Sequence, residues 1–201
     1  KVGLGNVRLS IIDLSPAGHQ PMSSDDGKIW IVYNGEIYNF EETKKELQEK
    51  GHEFMSKTDT ETVIYAYKEF GSSCLERFNG MFAFAILDIE KGKIFLARDR
   101  MGIKPLYYYH DDSSFWFSSE IKALFEDKRV PKQVNEDKLY DYLMFGYVAG
   151  EDTMFKSIKE LLPGHFMTID IDAAQKGKCI ADAITIKKYW DVGDYEEDHS
   201  I

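Results

Sequence analysis

The apolar positions of this chain change period several times, and each change marks an element. Ile29-Trp30-Ile31-Val32-Tyr33 is β-branched and aromatic on both faces, which predicts a strand buried on both sides. It runs into the polar stretch Asn34-Gly35-Glu36-Ile37-Tyr38-Asn39, read as a strand-to-helix turn. Asn39 with Glu42 three residues on matches a capping box, so a helix is predicted from there to about Lys50, with Gly51 as its stop. That helix carries mostly Glu and Lys, with Phe40 and Leu47 as its apolar points, and its face reads as largely solvated. Residues 54–57 read as a short strand. Thr58 with Glu61 is a second capping box, after which Val63, Ile64, Tyr67 and Phe70 fall on one side of a helix ending at Gly71.

Phe82-Ala83-Phe84-Ala85-Ile86-Leu87-Asp88 alternates large and small apolar residues and predicts the central strand, with a turn at Lys91-Gly92 and a hairpin partner over residues 93–97. Two more strands, Leu106-Tyr107-Tyr108-Tyr109 and Phe115-Trp116-Phe117, flank the turn at Asp111-Asp112. Ser119-Glu120 starts a short helix through Phe125, and Asn135 caps another in which Leu139, Leu143 and Met144 share a face. Leu162-Pro163-Gly164 turns into a strand over residues 166–171. Near the start, Val7-Arg8-Leu9-Ser10-Ile11-Ile12 alternates like a strand, followed by a loop over residues 16–21 and a turn at Asp25-Asp26-Gly27. Many antiparallel strands with a few helices between them predict an α+β chain, two sheets packed face to face with helices outside.

Composition narrows the function. With 201 residues the chain is long enough for one well-cored domain. Its formal charge of -10, with no cluster of Lys and Arg among aromatics, argues against nucleic acid or an anionic membrane as partner. No apolar run approaches the roughly 20 residues of a bilayer span, and the first residues do not form a signal peptide, so the chain reads as soluble and cytoplasmic. Cys74 and Cys179 stand alone and the five His are scattered singly, so neither a disulfide framework nor a metal site is signalled. There is no Gly-x-Ser-x-Gly elbow, no phosphate loop and no His-Glu-x-x-His. Beyond Trp190 the sequence turns acidic without apolar period, as a tail or linker would.

What remains is a set of polar residues at strand and helix ends. Gly35 can bring its backbone close to a ligand, and its N–H beside the Asn34 amide offers two donors of the kind that hold an oxyanion. Glu36 adds a negative charge, Asp59 sits at a helix start where the dipole favours a carboxylate, and Arg8 is a guanidinium in an apolar strand. Together they suit an α-amino acid, its carboxylate on Arg8 and its ammonium on Glu36 and Asp59. Each also has a purely structural explanation: a turn for Asn34 and Gly35, a helix dipole for Asp59, a salt bridge for Arg8.

Several ordered blocks carry a family likeness: Arg8-Leu9-Ser10-Ile11-Ile12, Pro21, Asn34-Gly35-Glu36-Ile37-Tyr38-Asn39, Thr58-Asp59-Thr60-Glu61 and Gly80-Met81-Phe82-Ala83-Phe84-Ala85. They continue with Arg98-Asp99-Arg100-Met101-Gly102-Ile103-Lys104-Pro105-Leu106-Tyr107, Ser119-Glu120-Ile121-Lys122-Ala123-Leu124 and Leu162-Pro163-Gly164. From about Gly5 to Trp190 the chain resembles the glutaminase domain of glutamine-hydrolysing asparagine synthetases, a class II glutamine amidotransferase domain. The resemblance implies an N-terminal nucleophile hydrolase fold, a four-layer αββα sandwich over residues 1–190, with residues 191–201 as acidic tail or linker. It implies L-glutamine as substrate, hydrolysed to glutamate and ammonia. By motif match Arg8 would take the glutamine carboxylate, the backbone at Ile11 and Ile12 would line the pocket, Glu36 and Asp59 would hold the ammonium, and Asn34 and Gly35 would form the oxyanion hole. No metal or cofactor is implied for this domain. ATP and magnesium go with a synthetase domain, the implied partner, which would amidate aspartate; a homodimer is left open.

The same likeness exposes two departures. The family's nucleophile is an N-terminal cysteine whose own α-amine serves as base, and Lys1 does not match it; Cys74 and Cys179 are in the wrong places. As written, the chain is expected to hydrolyse glutamine hardly at all. No Ser-Gly-Gly-x-Asp-Ser loop is present either. Other readings therefore stay open: an amidotransferase with a peptide or sugar acceptor, or a non-catalytic amino-acid-binding module.

Overall fold

The computed structural model describes residues 1–7 and 18–193. Arg8, Ile11 and Ile12, most of the expected first strand and most of the acidic tail lie outside the described residues. In chain order the strands are β1 (Met22–Ser23), β2 (Ile29–Ile37), β3 (Gly80–Asp88), β4 (Lys93–Arg98), β5 (Tyr107–His110), β6 (Phe115–Ser118), β7 (Lys159–Glu160), β8 (His165–Asp170) and β9 (Ile184–Lys188). They form a six-stranded sheet in the order β1-β2-β3-β4-β8-β9 and a three-stranded sheet in the order β6-β5-β7, with every pairing antiparallel.

The large–small alternation of the central strand explains the layering. Phe82, Phe84 and Ile86 of β3 join Ile31 and Tyr33 of β2 on one face, against Val63, Ile64 and Tyr67 of helix α2 (Asp59–Phe70). Ala83 and Ala85 lie on the other face with Val32, Leu96 and Met167, and their small side chains admit Leu106, Tyr108 and Leu161 from the second sheet. Helix α2 is buried all round its first nine residues, because helix α1 (Phe40–Glu49) covers it on the outside. As the sequence suggests, α1 itself buries only Thr43 and Leu47. The short helix α3 (Cys74–Arg77) leads back into β3. On the far side Leu124 of α4 (Ile121–Leu124) packs with Val130 and Ile158 against Tyr107, Tyr109 and Trp116, completing an αββα sandwich. Each fully buried Phe or Ile in these layers stabilises the fold by about 1.5–3 kcal/mol.

Four expectations need correction. Asn34-Gly35-Glu36 is not a turn: β2 runs on through Ile37, with Asn34 opposite Ala83, Gly35 opposite Phe82 and Glu36 opposite Met81. Asn39 precedes α1 but makes no cap; its amide donates to Arg77 O (2.9 Å) and accepts from Asn79 N (2.9 Å), so tertiary bonds outcompete the local one. Residues 54–57 form no strand. Asn135 likewise spends its side chain on Thr153 O (3.2 Å), and the helix behind it begins as a 3₁₀ turn, Glu136–Lys138, before α5 (Leu139–Phe145). Leu139, Leu143 and Met144 of α5 are exposed. The C-terminal helices α6 (Ile171–Gln175) and α7 (Ile180–Ala183), which the apolar pattern did not announce, precede β9.

Candidate active site

A cleft of about 930 Å³ opens between the two sheets at the C-terminal end of β2, within the size range of small-molecule pockets. Asn34, Gly35, Glu36 and Asp59 all line it, together with Gln20, Tyr33, Leu106, Phe117 and Lys104. Four of the sequence-derived site residues thus meet in one place; Arg8, Ile11 and Ile12 lie outside the described residues.

The strand ladder aims these groups. Phe82 N donates to Asp99 Oδ2 (3.1 Å) and Phe82 O accepts from Asp99 N (2.8 Å), so the Phe82 backbone is turned away from β2. Gly35, opposite Phe82, therefore belongs to a non-hydrogen-bonded pair, and its N–H is directed to the other edge of β2. At that edge β1 has already ended, since it pairs only with Trp30 and Ile31. The two odd-numbered neighbours on the same edge are met by side chains: Tyr33 N donates to Gln20 Oε1 (2.7 Å) and Ile37 N to Asp59 Oδ2 (3.0 Å). The strand's alternation puts the Asn34 and Glu36 side chains on the face shared with Val32, toward the second sheet.

Asp59 is the first residue of α2 and is 5% exposed. Its carboxylate Oδ2 accepts from Tyr33 Oη at 2.6 Å and from Ile37 N. Burial raises its pKa above the usual carboxylate value, against the pull of these two bonds and of the Thr60 and Asp59 backbone N–H groups. Burial, and then the charge of Asp59, pushes the Tyr33 phenol up as well, so this phenol acts as a donor. The helix start is fixed by Thr58, whose Oγ1 accepts from Glu61 N at 3.3 Å. The reciprocal half of the expected capping box is absent: Glu61 instead accepts from Met55 N (2.8 Å), Ser56 N (2.7 Å) and Ser56 Oγ (2.6 Å).

Neither cysteine reaches the cleft. Cys74 is fully buried and burial pushes its thiol far above the usual range; Cys179 lies at a separate shallow depression with Asp112. The Arg98-Asp99 pair, part of the family likeness, is structural: Asp99 accepts from Phe82 N, Met101 N, Ile103 N and Lys104 N, and Arg98 donates to Lys104 O, Gly102 O and Leu161 O. Sequence reasoning missed Tyr33 and Gln20. Tyr33 reads as one more apolar strand residue, and only the register shows its hydroxyl reaching α2.

Comparison with known proteins gives the family. A family model described as a glutamine amidotransferase domain matches residues 1–190. The chain is 37% identical to a putative glutamine-hydrolysing asparagine synthetase 2 of Methanocaldococcus jannaschii, over 97% of this chain and 39% of the relative. It is also 37% identical to the glutamine-hydrolysing asparagine synthetase 3 of Bacillus subtilis, over 94% of this chain and 29% of the relative. It therefore spans well under half the length of these relatives. Among solved structures, glutamine phosphoribosylpyrophosphate amidotransferase from B. subtilis superposes with a TM-score of 0.62 over 92% of this chain and 34% of its own, at 18% identity, a likeness of fold.

Proposed function

We infer the function from one premise, that this chain belongs to the glutamine amidotransferase domain family: its cleft is the glutamine site of an amidotransferase of the asparagine synthetase type. The observation that carries this reading is the convergence of Asn34, Gly35, Glu36 and Asp59 on one cleft at a strand end. An α-amino acid seated there meets two carboxylates at its ammonium. Its side-chain amide, at the other end, meets the Gly35 N–H, directed to the edge of β2 away from β3, and the Asn34 amide, on the face toward the second sheet, the two donors an oxyanion would need.

Hydrolysis needs a nucleophile that attacks the amide carbon, with the C–N bond breaking as ammonia takes a proton, and then water to free glutamate from the acyl intermediate. Cys74 and Cys179 do not line the cleft, and we assign its described residues the binding and oxyanion-stabilising part of that reaction. The ammonia would pass to a synthetase portion that amidates aspartate. To that portion we assign ATP and magnesium, on the resemblance to asparagine synthetases alone. No step here runs through either. Among the described residues no helix is long and apolar enough to cross a membrane.

The test joins a Cys-led segment of the family type ahead of Lys1 and follows ammonia release from L-glutamine. Release that a thiol reagent abolishes, and that Asn34→Ala slows by about 10²-fold, is the expected result. A folded chain with the segment that binds no glutamine and releases no ammonia would refute the reading.

A further inference from the structure

Tyr33 touches both the cleft and the residue that would hold the substrate ammonium. We propose that Tyr33 is a positioning residue that fixes the Asp59 carboxylate for α-ammonium recognition, a role that rests on the glutamine reading above and deepens it. Tyr33 and Asp59 are each 5% exposed. Two donors converge on the same oxygen: Tyr33 Oη at 2.6 Å and Ile37 N at 3.0 Å from Asp59 Oδ2. A carboxylate oxygen offers about two lone-pair sites, so Oδ2 is saturated and a ligand cation would meet Oδ1, with the Thr60 and Asp59 backbone N–H groups also favouring the ionised carboxylate. Rotation of the carboxylate would break both bonds at once, so the orientation is held as long as the phenol is present. Tyr33 is itself anchored from the cleft side, through its N–H on Gln20 Oε1 at 2.7 Å.

The phenol also acts on charge. Burial favours the neutral form of Asp59, and the hydroxyl bond opposes it by stabilising the ionised form. A neutral carboxyl would lose its attraction for an ammonium. Among the described residues, the other charged groups that border the same cleft are Glu36 on β2 and Lys104, Glu120 and Lys122 from the second-sheet side. Removing the Tyr33 hydroxyl leaves all of them in place.

The experiment uses the 201-residue chain, its Tyr33→Phe variant, and Asp59→Asn to assign the Asp59 resonance in carboxyl-labelled NMR spectra. Tyr33→Phe keeps the ring in the core, and thermal unfolding checks that it folds. The expected results are an upward move of the Asp59 titration and a loss of roughly tenfold in the preference for L-glutamine over glutaramate, its analogue without the α-ammonium, by calorimetry. A merely structural role would weaken both ligands alike and leave the titration where it was, and either outcome overturns the proposal. A second measurement needs no variant: in the native chain the Tyr33 hydroxyl proton should be protected from exchange and close to the Ile37 amide proton, and a freely exchanging hydroxyl also overturns it. If the native chain binds neither ligand, the glutamine reading fails and the ammonium role fails with it. Full preference retained in Tyr33→Phe refutes this proposal alone.

Discussion

At Gly35 a Cβ would sit 2.1 Å from Met81 O and 2.6 Å from Phe82 Cα, both atoms of the backbone of β3. Neither can swing aside as the end of a side chain could. The φ of +154° adds a conformation that residues with a Cβ rarely adopt, so two independent constraints exclude any side chain here. Across the ladder a Cβ on Gly80 would meet Glu36 O at 2.2 Å, so the two strands approach closely on either side of the site. Gly35→Ala is therefore expected to cost about 2–3 kcal/mol in urea denaturation, through displacement of β3. Gly27 gives the comparison, since it has φ of +65° but open space around its Cβ. Gly27→Ala should cost only about 1 kcal/mol, the backbone part alone. Equal costs at the two positions would show that close approach does not govern Gly35.

Elements whose signal lies in hydrophobic period were legible: β3 with its large and small faces, the solvated α1, and α2 from Thr58 to Gly71. What the sequence hid lies in partners distant along the chain. Asn34-Gly35-Glu36 reads as a turn because it is polar, yet Ala83, Phe82 and Met81 of β3 hold it in the sheet. Its polarity reflects the cleft it faces, where a ligand rather than a core would be its neighbour. Capping shows the same limit. Asn39 and Thr58 both head a capping-box pattern, but Asn39 is diverted to Arg77 and Asn79, and only Thr58 accepts from its helix. Tyr33, hidden among apolar strand residues, gains its role only from the placement of α2. The Thr58-Glu61 segment supplies a prediction at this scale. Thr58→Ala loses one cap bond and should cost about 1 kcal/mol. Glu61→Ala removes a buried carboxylate that holds Met55 N, Ser56 N and Ser56 Oγ, and should cost about 2–3 kcal/mol. Chemical denaturation of both variants checks the order. The reverse order would mean that the one-sided cap, and not the loop that Glu61 gathers, sets the position of Asp59.

In the whole molecule the cleft exists because two sheets of unequal size are held at a fixed separation at one end. Arg98 and Asp99, just past the middle of the sandwich, make that connection. Asp99 is 1% exposed and satisfies Phe82 N of the large sheet along with Met101, Ile103 and Lys104 N of the loop that leads into β5. Arg98, 6% exposed, ties the same loop through Lys104 O and Gly102 O, then reaches Leu161 O and pairs with Glu160 Oε1 at 2.9 Å on β7. One dipeptide thus joins β3, the loop ahead of β5 and the edge strand of the second sheet. Lys104, Pro105 and Leu106 of that loop form a wall of the cleft, so its shape depends on the carboxylate of Asp99. Asp99→Ala would leave four backbone donors without their acceptor, of which Phe82 N is buried and the loop amides can be met partly by water. We expect a loss of about 3–5 kcal/mol in chemical denaturation and, in the folded fraction, weaker binding of L-glutamine although Asp99 does not line the cleft. Asp99→Asn keeps an acceptor oxygen for part of the set and should lie between the native chain and Asp99→Ala on both measures. Binding that stays at the native level in folded Asp99→Ala would mean that the second sheet keeps its place without this connection. The inter-sheet apolar contacts of Leu106, Tyr108 and Leu161 would then suffice to hold the cleft open.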